Sequence, residues 1–149
     1  MSAAEQLPAV VATVADFADR TGAERVVALL DSEPPLMVER LEDGTLHVTE
    51  GEATRPAEPE AAPLAFPDLR AVPPSALSAD PETGELAAPL GALQHMVESV
   101  MALARVLGGR SVATATFATR DPGTPLTIAA REGEPVVLDI AGRHFRFPG

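Results

Sequence analysis

The residues best equipped for chemistry in this chain are its cations, and all eleven of them are Arg, because the 149-residue sequence has no Lys. Arg is always charged, and its planar fork of donors matches carboxylates and phosphates two bonds at a time. Four of the eleven fall at matching places: Arg20-x4-Arg25-x-Val27 has the spacing of Arg105-x4-Arg110-x-Val112. If the segments that carry them pair symmetrically, the four converge on an anion or an acidic partner. The plainer expectation is that an Arg near the end of a helix bonds the last carbonyls and offsets the helix dipole. Arg143, His144 and Arg146 form a local basic cluster, with Asp139 shortly before it. They alternate with Phe145 and Phe147, which predicts a strand with one charged and one apolar face. Such a strand suits a phosphate or acidic-peptide contact, or simply a charged edge guarded against pairing with other chains.

Other reactive types are scarce. His47, His95 and His144 are the three His, and no two stand four residues apart. The pairs Asp16/Asp19 and Glu39/Glu42 need further converging oxygens to hold a hard cation, and no EF-hand spacing is present. Without Cys there is no disulfide, thiol nucleophile or thiolate metal site. Without Lys there is no Schiff base and no P-loop lysine. No Gly-rich phosphate loop, G-x-S-x-G or His-Glu-x-x-His occurs. The expectation is a non-enzymatic protein with no catalytic, cofactor-binding or metal-binding residues and no cofactor. A small enzyme whose site leaves no local motif stands as a further alternative.

The formal net charge is -11, unevenly spread. Residues 1–50 carry 3 Arg against 10 acids, residues 51–88 carry 2 against 7, and residues 89–149 carry 6 against 5. An acidic front repels nucleic acid, which speaks against direct binding, while a near-neutral, apolar back suits protein contact. No apolar run reaches membrane-span length, and the start has no basic n-region, so a cytoplasmic chain with no membrane contact is expected.

The elements that must position these residues follow from periodicity. Leu7, Val10, Val11, Val14, Phe17 and Ala18 predict a helix over Ala3 to about Arg20, with Ser2 as N-cap, Glu5 completing a capping box and Gly22 as stop. Strands are predicted at Arg25–Leu30, Leu36–Leu41 and Thr45–Thr49, the last two joined by the hairpin signal Asp43-Gly44. Seven of the fifteen Pro then lie between Pro56 and Pro81, which reads as a connector. Its first part, Glu52–Pro63, is expected to be mobile, and Leu64, Phe66, Leu69, Val72 and Leu77 suit an ordered strap. A short strand at Glu85–Ala88 leads to a second helix, Pro89–Leu107, with Leu90 and Leu93 opening its apolar stripe. Strands at Ser111–Thr119, Leu126–Ala130, Val136–Ile140 and Arg143–Phe147 complete the chain.

The two halves look alike. Asp31-x3-Pro35-Leu36-x-Val38 matches Asp121-x3-Pro125-Leu126-x-Ile128, and the two helix stripes also match. A half of about 55 residues buries too little apolar surface to be secure alone. The expected fold is therefore α+β, with two tandem helix-plus-antiparallel-strands halves forming one pseudo-twofold domain. Residues 1–50 are the first half, 51–84 the connector and 85–149 the second half.

Glu85-Leu86-Ala87-Ala88-Pro89-Leu90-x2-Leu93, Thr114-Ala115-Thr116-Phe117 and Val136–Ile140 resemble a domain of the sliding clamps, the processivity factors of DNA polymerases. The resemblance covers residues 85–149, and the first half only through the repeat. It implies an accessory factor of DNA replication or repair that holds client peptides in an apolar groove. Clamp helices, however, carry cations toward DNA, whereas the first helix here has Glu5, Asp16 and Asp19 against Arg20, and the second has Glu98 against Arg105. The leading expectation is accordingly a protein-interaction or assembly module, homo-oligomeric through an exposed sheet edge. Its candidate contacts are Arg20, Arg25, Arg105, Arg110, Leu126, Val137, Arg143, His144 and Arg146.

Overall fold

The computed structural model describes the chain except residues 1, 2, 65–68, 84, 90, 122, 148 and 149, and it leaves out the side chains of residues 3–5 and 147. The Ser2 cap, the Glu5 side chain, Phe66 and Leu90 thus lie outside the described residues.

Two helices lie on one face of an eight-stranded antiparallel sheet, so the protein is α+β. Helix α1 (Ala3–Thr21) leads into strands β1 (Arg25–Leu30), β2 (Leu36–Arg40), β3 (Leu46–Glu50) and β4 (Ala53–Ala57). A 3-10 turn at Pro74–Ala76 and a small ribbon, β5 (Ser78–Ala79) with β6 (Leu86–Ala87), follow. Helix α2 (Ala92–Leu107) then leads into β7 (Val112–Phe117), β8 (Leu126–Arg131), β9 (Val136–Ile140) and β10 (Arg143–Phe147). The strand order is β10-β9-β8-β7-β1-β2-β3-β4. Each helix therefore feeds one of the two central strands, and from that seam each set of four runs outward.

The hairpin registers on the two sides agree. Leu36 opposes Glu50, Val38 opposes Val48 and Leu46 opposes Ala57. Shifted by 90 residues (36 to 126, 50 to 140, 46 to 136, 57 to 147), these become Leu126 with Ile140, Ile128 with Leu138 and Val136 with Phe147, all of which are pairs in β8–β10.

The apolar stripe of α1 (Val10, Val11, Val14, Phe17, Ala18) and that of α2 (Met96, Val97, Val100, Leu103, Ala104, Leu107) are buried in one cluster with the sheet. The first packs on β1 and β2, the second on β7 and β8. Small residues at the seam, Ala28, Ala113 and Ala115, let both helices sit close to the sheet, and all three are fully buried. Both helices end in the same way. Gly22 and Gly108 adopt positive φ (78° and 76°) while their N–H groups donate to Ala18 and Ala104 at 3.0 Å.

Two elements differ from the sequence expectation. Helix α2 starts at Ala92, because Gly91 takes a left-handed conformation (φ 80°) and the Ala92 N–H donates to the Pro89 carbonyl, so Pro89 and Gly91, expected to be helical, precede the helix. Residues 53–57, expected to be mobile, form β4 at the sheet edge, where the missing N–H of Pro56 is tolerated. Beyond β4 the chain crosses the helix layer. The Thr13 hydroxyl donates to the Ala9 carbonyl at 2.6 Å and accepts from the Leu64 N–H at 2.9 Å. Leu69 and Leu77 are buried, and the Leu77 carbonyl accepts from the Arg120 N–H at 3.0 Å.

Candidate functional site

Residues directly opposite in antiparallel strands share a face, so the register sorts every strand position. One row crosses the whole sheet, through Arg146, Val137, Ala129 and Thr114 and then Val27, Glu39, His47 and Pro56. A second joins His144, Asp139, Thr127, Thr116 and Arg25. A third joins Arg131, Val112, Leu29, Met37, Thr49 and Thr54. The helices occupy the other face, whose residues Val26, Val38, Leu126, Ile128 and Leu138 are buried. None of the residues in the three open rows is buried, and Leu29 on central strand β1 is 43% exposed.

The open face has a recognisable arrangement. Val27, Leu29, Val112, Met37 and Ala129 form an apolar and methyl-rich middle. Thr114, Thr116 and Thr127 sit beside it, the hydroxyls of the last two 3.2 Å apart. Charges lie around this middle. Arg25 is hydrogen-bonded and ion-paired to Glu39. Arg131 pairs with Glu134 at 3.5 Å, and His144 Nδ1 lies 3.3 Å from Asp139. At one end Glu24, Glu42 and Asp43 border a shallow depression with Arg25, Thr116 and Thr127. Partial burial, and then the neighbouring Glu42, raise the Glu24 pKa above the usual carboxylate value. Asp43 is held low by bonds from the Thr45 hydroxyl and N–H.

The residues singled out from sequence are dispersed over this frame. Arg20 pairs within α1 with Asp16 at 3.5 Å, on the helix side of the molecule. Arg25 lies on the open face, opposite Thr116. Arg105 is exposed in the last turn of α2, beside a cleft of about 370 Å³ that Arg131 and Pro135 also border. Arg110 is exposed just ahead of β7. Because β1 and β7 run antiparallel, their starts lie at opposite ends of the seam. Arg110 is six residues from Thr116, roughly 20 Å of strand. The four Arg do not converge.

Leu126 is fully buried and presents no surface. Val137 is half-buried on the open face. Arg143 donates to the Glu82 carbonyl at 2.9 Å, tying β10 to the loop between β5 and β6. His144 and Arg146 are exposed on the open face of that edge strand, whereas Phe145, 45% exposed, is on the helix side beyond α2's strands.

The three His are separate. His47 faces Glu39 across the open sheet, and His144 is 70% exposed. His95 borders a recess with Arg70, Val72 and Gly91, and its Nε2 is buried without a hydrogen-bond partner. Among the described residues no three His, Asp or Glu gather as metal ligands, and no helix is long and apolar enough to cross a membrane.

The sequence reading missed the centre of the open face: Val27, Leu29, Met37, Thr114 and Val112. A signal was present in Arg25–Leu30, where residues of both parities are apolar although antiparallel strands with one wet face usually alternate. Compared with protein-family models, curated proteins and solved structures, the chain matches none.

Proposed function

We propose that this chain is a non-enzymatic protein-interaction or assembly module whose working surface is the open face of its sheet. The supporting observation is that both helices cover the same face, while the central strands present Val27, Leu29 and Val112 to solvent on the other. Apolar side chains at the centre of a broad surface, with charges around them, have the anatomy of a contact patch. The edges are less suited to assembly. Pro56 interrupts the donors of β4, and Arg143, His144 and Arg146 charge β10.

The matching hairpin registers support reading the two halves as a tandem repeat, joined at β1 and β7 about a pseudo-twofold axis. The likeness to a clamp domain rests on that plan. It does not extend to attraction for DNA, since Asp16, Asp19 and Glu98 on the helix layer oppose a phosphate backbone. The favoured reading is the architecture without the DNA role.

Leu29→Asp places a charge at the centre of the patch without disturbing the core. Native-source purification followed by mass measurement should find the wild-type chain in a complex, with itself or another protein, and the variant outside it, folded by circular dichroism. A wild-type chain found only as a free monomer would remove the reading.

A further inference from the structure

We propose that the cleft under the end of α2, away from the open sheet, binds a small zwitterion with an apolar body, of the class of a free apolar α-amino acid.

The two sides of the sheet differ at one matched place. The helix ends align through their closing bonds, from the Gly22 N–H to Ala18 and from the Gly108 N–H to Ala104, so Asp19 and Arg105 hold the same position. The 90-residue shift of the hairpins sets Arg40 against Ala130. The turns that follow match too, since the Gly44 N–H donates to the Leu41 carbonyl and the Glu134 N–H to that of Arg131. On the first side Arg40 spans the gap between sheet and helix. It opposes buried Val26, its guanidinium lies 3.8 Å from where a Cβ would stand on Gly44, and it donates to Asp19 at 2.9 Å. On the second side the strand position is Ala130, opposite buried Ala113, and the helix position is Arg105. A methyl group replaces the side chain that filled the gap. What remains is the cleft of about 370 Å³, between Met101, Ala104 and Arg105 on α2 and the turn 131–135. Its size is at the small end for ligand clefts, which run from roughly 300 to 1,000 Å³.

Charge sets the ligand class. The charged side chains that border the cleft are Arg105, Arg131, Glu132 and Glu134, and the last carbonyls of α2 add partial negative charge. Arg131 and Glu134 pair at 3.5 Å, while Arg131 Nε is a buried donor for which the protein supplies no acceptor. That leaves Arg105 on the helix wall and Glu132 on the turn, both exposed, and among the described residues neither has an ion-pair partner. A simple anion meets Glu132 and the helix end, and a simple cation meets Arg105. A zwitterion answers both, with its carboxylate at Arg105 and its ammonium at Glu132. Between them Met101, Ala104, Ala130 and Pro135 offer an apolar bed for its side chain. Because both charges are exposed, the affinity is weak, with a dissociation constant on the order of 1 mM.

Titration of the isotope-labelled full chain with L-leucine, followed by amide chemical shifts, tests this. The expected result is a saturable shift confined to residues 101–105 and 130–135. Isocaproate, which lacks the ammonium, and isoamylamine, which lacks the carboxylate, should each bind about fivefold more weakly or worse. Arg105→Gln and Glu132→Gln, both at exposed positions, should weaken leucine by a similar factor. Ala130→Arg combined with Arg105→Asp builds the Arg40–Asp19 pair into the second side, and should abolish binding in a chain folded by circular dichroism. No shift up to about 20 mM leucine would overturn the proposal. So would equal binding of isocaproate or isoamylamine, or leucine binding unchanged in both Gln variants. None of these results touches the open face, whose test is Leu29→Asp.

Discussion

Glu24 shows how single residues on this molecule answer to their surroundings. It stands just before β1, where partial burial and Glu42 both disfavour its ionised form, so its pKa is raised in the folded state. The sign of the linkage follows. Below the unfolded value of about 4.3 the group is protonated in both states and costs nothing. As pH rises toward the higher folded value a cost appears, and above that value the cost is constant. Glu24→Gln should therefore stabilise the protein at pH 7 by up to about 0.5 kcal/mol, the range of surface changes, and change little at pH 4. Urea midpoints of both proteins at the two pH values measure this, and an equal gain at both would contradict it. Asp43 and Asp80 have the opposite sign. Bonds from Thr45 to the first, and from Glu82 and Thr83 to the second, lower their pKa values, so their contribution is lost as pH falls below about 4.

The strap formed by the connector carries the prediction at the scale of elements. Leu77 is fully buried although it lies between a Pro-rich turn and a two-residue strand, and its carbonyl holds the Arg120 N–H. Leu77→Ala should cost about 2–4 kcal/mol, as for a core leucine. Chemical denaturation measures the loss. A value under about 1 kcal/mol would make the strap an ornament of the surface. What was readable at this scale divides along physical lines. Strands β1, β9 and β10 lie where alternation and turn residues put them, because each has strongly apolar alternate positions between Gly, Pro or Asp. Strand β4 escaped because Ala53-Thr54-Arg55-Pro56-Ala57 has no apolar alternation and contains a residue that breaks interior strands. Its pairing comes from β3 and the short turn at Gly51, not from its own propensity. The open face escaped for a related reason. Alternation separates Leu126 and Ile128 from Thr127 and Ala129, but it does not say which set a helix will cover. Choosing Leu126 by its hydrophobicity selected the buried set, and the open face falls to the residues of the other parity, Val137 among them.

At the scale of the whole molecule, the consequence of the seam is that neither set of four strands has a core of its own. Val26, Ala28, Ala113 and Ala115 belong to β1 and β7, yet they lie under both helices in one continuous cluster. Unfolding should therefore be a single transition, and damage at the seam should reach both hairpin systems together. Ala113→Leu tests this. Ala113 opposes Ala28 and is fully buried, so a larger side chain must push the helix layer away from the sheet, at a cost of about 1–3 kcal/mol. Hydrogen exchange is the measurement, because it reports β2–β4 and β8–β10 separately. Their most protected amides should lose protection by the same free energy, equal to the loss of global stability. If β8–β10 alone became labile while β2–β4 kept its protection, the halves would be independent units that merely touch. Equal loss would mean that two helix-and-meander units, each too small to hold a core, become stable by sharing four small or branched residues along one pair of strands. That shared seam leaves the opposite face of the same strands free to meet another molecule.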